Sequence, residues 1–375
     1  MEKRFKIVAD DRIPFLRGVL DDIAEMVYLP GSKTGREDVA DADALITRTR
    51  TICSKDLLSG SRVKFIATAT IGFDHINIAD VADLGISWTN APGCNAASVA
   101  QYIASALVSF PGSRQGQVLG IIGVGNVGKQ VEKAAQALGM KVLLNDPPRA
   151  EKEGPEAFVS LDEIREKADF ITLHVPLERA GKYPTFQMLD ERFFSGVKKT
   201  AVFFNSSRGE AVNTADLKAA LKNGSLAGAV LDVWENEPDI DLELLKLSCF
   251  ATPHIAGYST DGKANGTAMS VRSVCRHLQI DGFEEWFPAD IPLPQSGTRI
   301  VLEEKYSPAA QVRQAVLHTY NIADDDWALR SAPEQFEKLR GSYRVRREFG
   351  AFCISGGSPE ARNILKKLGF LLEGE

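Results

Sequence analysis

Short apolar runs recur along the chain, separated by longer stretches of mixed polarity. Residues 5–9, 27–29, 44–47 and 65–68 are each too short for a helix and suit strands buried on both faces. Between them, residues 14–23, 54–58 and 78–84 read as helices. Strands alternating with helices predict a parallel sheet covered on both sides. This first series closes at the turn-rich Asn90-Ala91-Pro92-Gly93-Cys94. A long apolar helix over residues 96–110 leads into a second series. Its strands are expected at 118–122, 141–144, 171–174, 201–205, 229–232 and 249–252, with helices at 161–167, 190–195 and 214–223. A helix over 260–278 then carries the chain away from the second series, back to the first.

Past Asp281 the pattern changes. Pro288, Pro292, Pro294 and Pro308 punctuate a linker-like stretch. A helix over 309–320 follows, then an acidic Asp324-Asp325-Asp326 turn and a helix near 333–339. Residues 343–352 alternate like a strand, and a last helix is expected at 359–368. No internal repeat or low-complexity segment is present.

The strand at 118–122 opens onto Gly123, Gly125 and Gly128 at G-x-G-x-x-G spacing. Val127, Val131, Ala134, Ala135 and Leu138 then recur at helical intervals until Gly139 stops the helix, and the next strand ends at Asp146. The three glycines serve different physical ends. Gly123 permits the tight turn, Gly125 lets a pyrophosphate approach closely, and Gly128 lets the helix pack on the sheet. The phosphates would meet the N–H groups at the helix start, around Asn126 and Val127. Asp146, 18 residues past Gly128, is placed to bind the ribose hydroxyls and repel a 2′-phosphate. NAD is therefore expected, with Arg149 keeping NADP open.

The predicted fold class is α/β, with two doubly wound parallel-sheet domains and a small α+β domain. A flavodoxin-like substrate domain takes residues 1–94 and 259–285. A Rossmann NAD domain, 95–258, is inserted in it, and residues 286–375 form the C-terminal domain. A length of 375 residues suits two or three domains, and 44% hydrophobic with 25% charged residues is ordinary for a globular chain. The net charge of −6 comes without a basic stripe, so no nucleic-acid partner is expected. The opening Met-Glu-Lys-Arg-Phe-Lys is charged where a signal peptide needs an apolar core, and no stretch reaches membrane-spanning length. Five scattered cysteines fit a reducing compartment, the cytoplasm by default, and supply no zinc-ligand spacing.

Three segments of the second series carry polar residues just past strand ends, where α/β folds bind ligands. They contribute Arg208, Glu237 and His254. Singly, each has a bland reading: a surface cation, a solvated acid, a satisfied loop histidine. In this order after a dinucleotide motif they suit oxidation of a 2-hydroxy acid. His254 would take the hydroxyl proton, Glu237 would orient it, and Arg208 would hold a carboxylate in its planar fork. No metal is expected, because nothing pairs the histidines at ligand spacing. Arg48, Thr49 and Arg50 follow one strand of the first series and could hold a phosphate, while residues 68–72 offer hydroxyls and N–H donors for a carboxylate. Arg48 and Arg50 could equally be solvated charges. Arg344, Arg346 and Arg347 read as solvated or interfacial.

At these residues the chain resembles the D-2-hydroxyacid dehydrogenase family. The resemblance rests on the Gly123 to Gly128 loop, the Arg, Glu and His order, Asp146-Pro147-Pro148-Arg149, and Ala91-Pro92-Gly93-Cys94-Asn95-Ala96. It rests also on residues 232–238 and on Pro253-His254-Ile255-Ala256-Gly257-Tyr258. It covers residues 5–282 and continues more loosely into the C-terminal part. It implies catalytic roles for Arg208, Glu237 and His254. It implies cofactor contacts at Asp146, Ser206, Ser207, Arg208, Asp232 and Gly257, and at Val175, where the family places a threonine. It implies substrate contacts at Thr49, Thr70 and Tyr258, a phosphorylated 2-hydroxy acid as substrate, and a homodimer through the C-terminal domain. Ala67 and Ile71 depart from the family in the substrate loop without removing a reacting group. Two alternatives remain: a relative acting on 3-phosphoglycerate or lactate, and a non-enzymatic NADH-sensing protein of the same fold.

Overall fold

The computed structural model describes residues 5–375, and residues 1–4, the start of the charged opening on which the signal-peptide expectation rests, lie outside them. The chain forms two compact units, Met1–Asn95 with Thr260–Pro292 and Ala96–Ser259 with Leu293–Glu375.

In the first unit, β1 (Lys6–Asp10), β2 (Glu25–Leu29), β3 (Ala44–Thr47), β4 (Phe65–Thr68) and β5 (Ser87–Thr89) make a parallel sheet in the order β2-β1-β3-β4-β5. Successive side chains of a strand point to opposite faces. Ile7, Ala9, Ile46 and Ala67 therefore pack with Val271, Val274 and Cys275 of the helix Thr260–Leu278, while Val8, Leu45 and Ile66 pack with Val39, Leu58 and Val81. Thr47 pairs with Thr68, so residues 48–50 and 69–72 leave the sheet at the same edge. The helix expected at 14–23 does not form. Phe15 and Gly18 take positive φ angles of 63° and 88°, and the segment turns repeatedly to bury Leu16 and Leu20.

The second unit is built on β6 (Val118–Ile122), β7 (Lys141–Asn145), β8 (Phe170–Leu173), β9 (Val202–Asn205), β10 (Gly228–Leu231) and β11 (Phe250–Ala251). They form a parallel sheet in the order β11-β10-β9-β8-β6-β7, so the strand order reverses between β6 and β8. That is where open α/β sheets bind ligands, outside the carboxyl ends of the strands. Leu119, Ile121 and Phe204 face one core; Ile122, Leu173 and Phe203 face the other.

The C-terminal residues add β12 (Arg299–Leu302), β13 (Cys353–Gly356) and β14 (Leu371–Leu372), a parallel sheet in that order. Ile300, Val312, Val316, Ile354 and Leu365 share one core with Ala104 and Leu107 of the buried helix Ala96–Ser109. Two sequence readings are revised here. The three aspartates lie in the helix Ile322–Ser331, where Asp324 and Asp325 occupy its first turn and suit the positive end of its dipole. The alternating stretch 343–352 forms no strand: it holds the buried Arg346 and a short 3-10 turn, Phe349–Ala351, and β13 begins only at Cys353.

All five cysteines are free thiols. Among the described residues, no helix is long and apolar enough to cross a membrane, and no cluster of His, Cys, Asp and Glu is placed to hold a metal ion.

Candidate active site

The glycine turn follows from steric limits. Gly123 has φ +86°, and a Cβ there would lie 2.5 Å from the His174 carbonyl oxygen and 2.9 Å from Val175 Cγ1. A Cβ on Gly128 would lie 2.2 Å from the Gly123 carbonyl oxygen. A Cβ on Gly125 would meet nothing within 4 Å. Gly123 and Gly128 are thus required by the protein's own packing, whereas Gly125 leaves open space at the start of the helix Asn126–Ala137. An exposed helix start with an open backbone approach fits a dinucleotide pyrophosphate. Asp146 Oδ2 accepts from the Val124 N–H at 2.8 Å and Oδ1 from the Arg149 N–H at 3.1 Å. It caps the helix Pro147–Glu153 and pins the turn. Arg149 donates to the Val124 carbonyl at 2.7 Å and pairs with Glu153 at 2.6 Å, so its guanidinium is committed within the protein.

The next predicted residues sit on loops after β8 and β9. Ser206 Oγ is 3.5 Å from His174 Nδ1, and His174 Nε2 is 2.9 Å from Thr172 Oγ1. Burial pushes the His174 imidazole down to about 3, so that ring is neutral. The Asn205 side chain donates to the Arg208 carbonyl at 2.9 Å and accepts from the Ser207 N–H at 3.1 Å. Arg208 Nη1 donates to the Ser207 carbonyl at 2.8 Å. A Cβ on Gly209 would lie 2.0 Å from the Trp234 carbonyl carbon, so only glycine lets the Arg208 loop lie against the segment after β10.

His254 and Glu237 are in direct contact, with Nδ1 2.8 Å from Glu237 Oε2. Glu237 Oε1 accepts from the Trp234 N–H at 3.0 Å. Burial favours the neutral acid, but the hydrogen bond and charge of His254, the Trp234 N–H and the Arg340 guanidinium together hold Glu237 below the usual carboxylate range. An ionised Glu237 accepts, so Nδ1 carries the shared proton, and in the neutral ring the lone pair is on Nε2.

His254 has φ +56°, a left-handed conformation that costs a non-glycine residue about 1–2 kcal/mol. Asp232 holds it there. The His254 N–H donates to the Asp232 carbonyl at 2.7 Å, and the Ile255 and Ala256 N–H groups donate to its carboxylate at 2.7 and 2.9 Å. Thr252 Oγ1 donates to the same carboxylate at 2.7 Å. Burial pushes the Asp232 carboxyl up, while His254 and these donors oppose the rise. Asp232 is 1% exposed and supports the reaction loop from below. Gly257 and Tyr258 complete that loop.

The first unit carries the other predicted contacts. Arg48 Nη1 donates to the Arg12 carbonyl at 2.9 Å. Thr49 is exposed, and Thr70 Oγ1 is 2.9 Å from Thr68 Oγ1 and donates to the Gly72 carbonyl at 2.8 Å. Lys263, not singled out in the sequence, lies near Arg48. Burial and the Arg48 charge hold its ammonium below the ordinary lysine range.

Two more residues escaped sequence reasoning. Arg346, expected to be solvated or interfacial, is 2% exposed. It donates to the Ser98 carbonyl at 2.7 Å, to Gln101 Oε1 at 2.8 Å, and to the Ile255 and Ala256 carbonyls at 3.3 Å. Its guanidinium stacks 3.8 Å from the Tyr320 ring centroid. Arg340 Nη2 donates to the Tyr258 hydroxyl at 3.3 Å, and Nη1 lies 3.9 Å from Glu237 Oε2. Nothing near either arginine in sequence marks it, since every partner outside the C-terminal part lies roughly 80 or more residues away.

Comparison with known proteins matches residues 98–256 to the family model "D-isomer specific 2-hydroxyacid dehydrogenase, NAD binding domain" and 293–369 to a domain of unknown function, DUF3410. An erythronate-4-phosphate dehydrogenase of Bacteroides fragilis is 50% identical over 93% of this chain and 99% of that protein. One from Escherichia coli is 38% identical over 97% and 98%. The solved D-lactate dehydrogenase of Aquifex aeolicus, complexed with NAD and lactic acid, superposes with a TM-score of 0.60 at 27% identity, over 74% of this chain and 96% of that one.

Proposed function

The chain belongs to the erythronate-4-phosphate dehydrogenases of the D-2-hydroxyacid dehydrogenase family, and we propose that it oxidises 4-phospho-D-erythronate to 2-oxo-3-hydroxy-4-phosphobutanoate in vitamin B6 biosynthesis. The observation that carries this is the 2.8 Å pairing of His254 Nδ1 with an ionised Glu237, which makes Nε2 the basic nitrogen of the neutral ring. NAD is the cofactor, and when bound it accepts the hydride that leaves C2. His254 takes the proton of the C2 hydroxyl, so that C2–O becomes a carbonyl as both leave. Glu237 stabilises the imidazolium that forms. Arg208 binds the substrate carboxylate and stabilises the developing 2-oxo group.

Gly123, Gly125, Asn126, Val127 and Gly128 receive the pyrophosphate, and Asp146 the ribose. Val175, Ser206, Ser207 and Gly257 border the cofactor, with Asp232 acting through the loop it holds. Arg48, with Lys263 near it, supplies positive charge for the phosphate, and Thr49, Thr70 and Tyr258 contact substrate. The protein acts in the cytoplasm, a reading its five free thiols support.

It works as a homodimer through its C-terminal domain. Seven of the thirteen exposed large hydrophobic side chains among the described residues lie there, Trp327 at 72% among them. Sedimentation of the full chain tests this. Truncation does not, because it would open the core that those residues share with the NAD domain.

NADH formation across a panel of 2-hydroxy acids tests the substrate. We expect 4-phospho-D-erythronate to be preferred by kcat/KM, and a preference for lactate or 3-phosphoglycerate overturns the reading.

A further inference from the structure

The helix Phe336–Gly341 brings a cation to the reacting pair from about 100 residues further along the chain. The Arg340 side chain is 22% exposed and that of Glu237 18%, so little water screens their 3.9 Å separation. The guanidinium is fixed from several sides. Nη1 pairs with Glu337 at 3.1 Å, Nη2 donates to the Tyr258 hydroxyl at 3.3 Å, and the Phe336 and Tyr258 rings lie 5.9 and 5.8 Å away. One cation thus bridges the carboxylate that orients His254 and the hydroxyl of a proposed substrate contact.

We propose that Arg340 is a positioning residue of the oxidation. Its charge fixes the Glu237 carboxylate against His254, and its second donor fixes Tyr258. The C-terminal segment is then part of the catalytic apparatus as well as a subunit contact. This rests on the reading of Glu237 and His254 as the reacting pair.

The charged groups acting on Glu237 are His254, from the loop after β11, and Arg340. Glu337 and Tyr258 engage Arg340, and Asp232 lies beneath His254. Burial opposes an ionised Glu237, so removing the Arg340 charge must raise its titration midpoint. A protonated Glu237 no longer offers His254 Nδ1 a carboxylate acceptor, so the acid limb of the reaction follows this carboxyl.

The test uses the full chain as R340M, R340K and R340Q. The Glu237 side-chain carboxyl signal, assigned with E237Q, is followed by carbon NMR through an acid titration. Its midpoint should rise in R340M and R340Q and stay near wild type in R340K. With substrate, the acid limb of kcat/KM should move to higher pH in R340M, and KM should rise about 3- to 10-fold. Y258F should raise KM without moving the carboxyl midpoint. An unmoved midpoint in folded R340M overturns the proposal, and R340Q decides if R340M does not fold. Absence of wild-type turnover on any 2-hydroxy acid would instead sink the functional reading and leave the carboxyl titration to decide this one.

Discussion

The glycine turn and the reaction loop lie in the same unit, yet they are held in different ways. Residues 123–128 are shaped by contacts within a short stretch: Gly128 against Gly123, Asp146 on Val124, Arg149 on the Val124 carbonyl. His254 is held by Asp232 below and Glu237 beside it, at similar separations in the chain, and also from far along the chain by Arg346 on the two carbonyls that follow. One is a backbone conformation that small residues permit. The other is a strained conformation kept in place by buried charges. The difference sets where each will fail.

The largest effect should come from the base itself. His254→Ala should lower kcat by about 100- to 10,000-fold while leaving NADH binding, read by fluorescence titration, nearly intact. Equal losses of both would mean that the two regions are not separable. Next, Arg346→Met should destabilise the protein by about 3 kcal/mol in urea unfolding, because it leaves Gln101 Oε1 without its donor in the interior and removes the charged donor shared by the Ser98, Ile255 and Ala256 carbonyls. A change within experimental error would show that the loop does not depend on that clamp.

Within the turn, Gly128→Ala should cost about 1–3 kcal/mol through its clash with the Gly123 carbonyl. Gly125→Ala should leave stability near wild type and weaken NAD binding alone. If the two variants behave alike by calorimetry, the division of labour among the glycines is wrong. The smallest effect belongs to Asp146→Ala. It removes a helix cap worth about 1 kcal/mol and should raise the kcat/KM ratio of NADP to NAD. An unchanged ratio would remove Asp146 as the ribose ligand.

The same contrast explains what could be read before the structure. β3 and β4 match the expected runs at 44–47 and 65–68, and the helices Leu161–Lys167 and Thr260–Leu278 match as well. Their patterns are local and strongly periodic. The expected helix at 14–23 was lost because Leu16 and Leu20 are buried through turns rather than along one helical face. The alternation at 343–352 resembles a strand, but the segment ends in a 3-10 turn and its Arg346 is buried by partners far away in the chain.

The chain's own order of residues determined the α/β alternation, the glycine turn with its terminal acid, and which side chains could react. Each depends on neighbours within a few turns of backbone, whose spacing is written directly in the sequence. Only the tertiary structure decided that Asp232 supports the histidine loop, that Arg346 is buried, and that Arg340 stands beside Glu237. Those arrangements depend on burial, which changes the energy of a charge far more than its residue type does, and burial is a property of the whole packed unit.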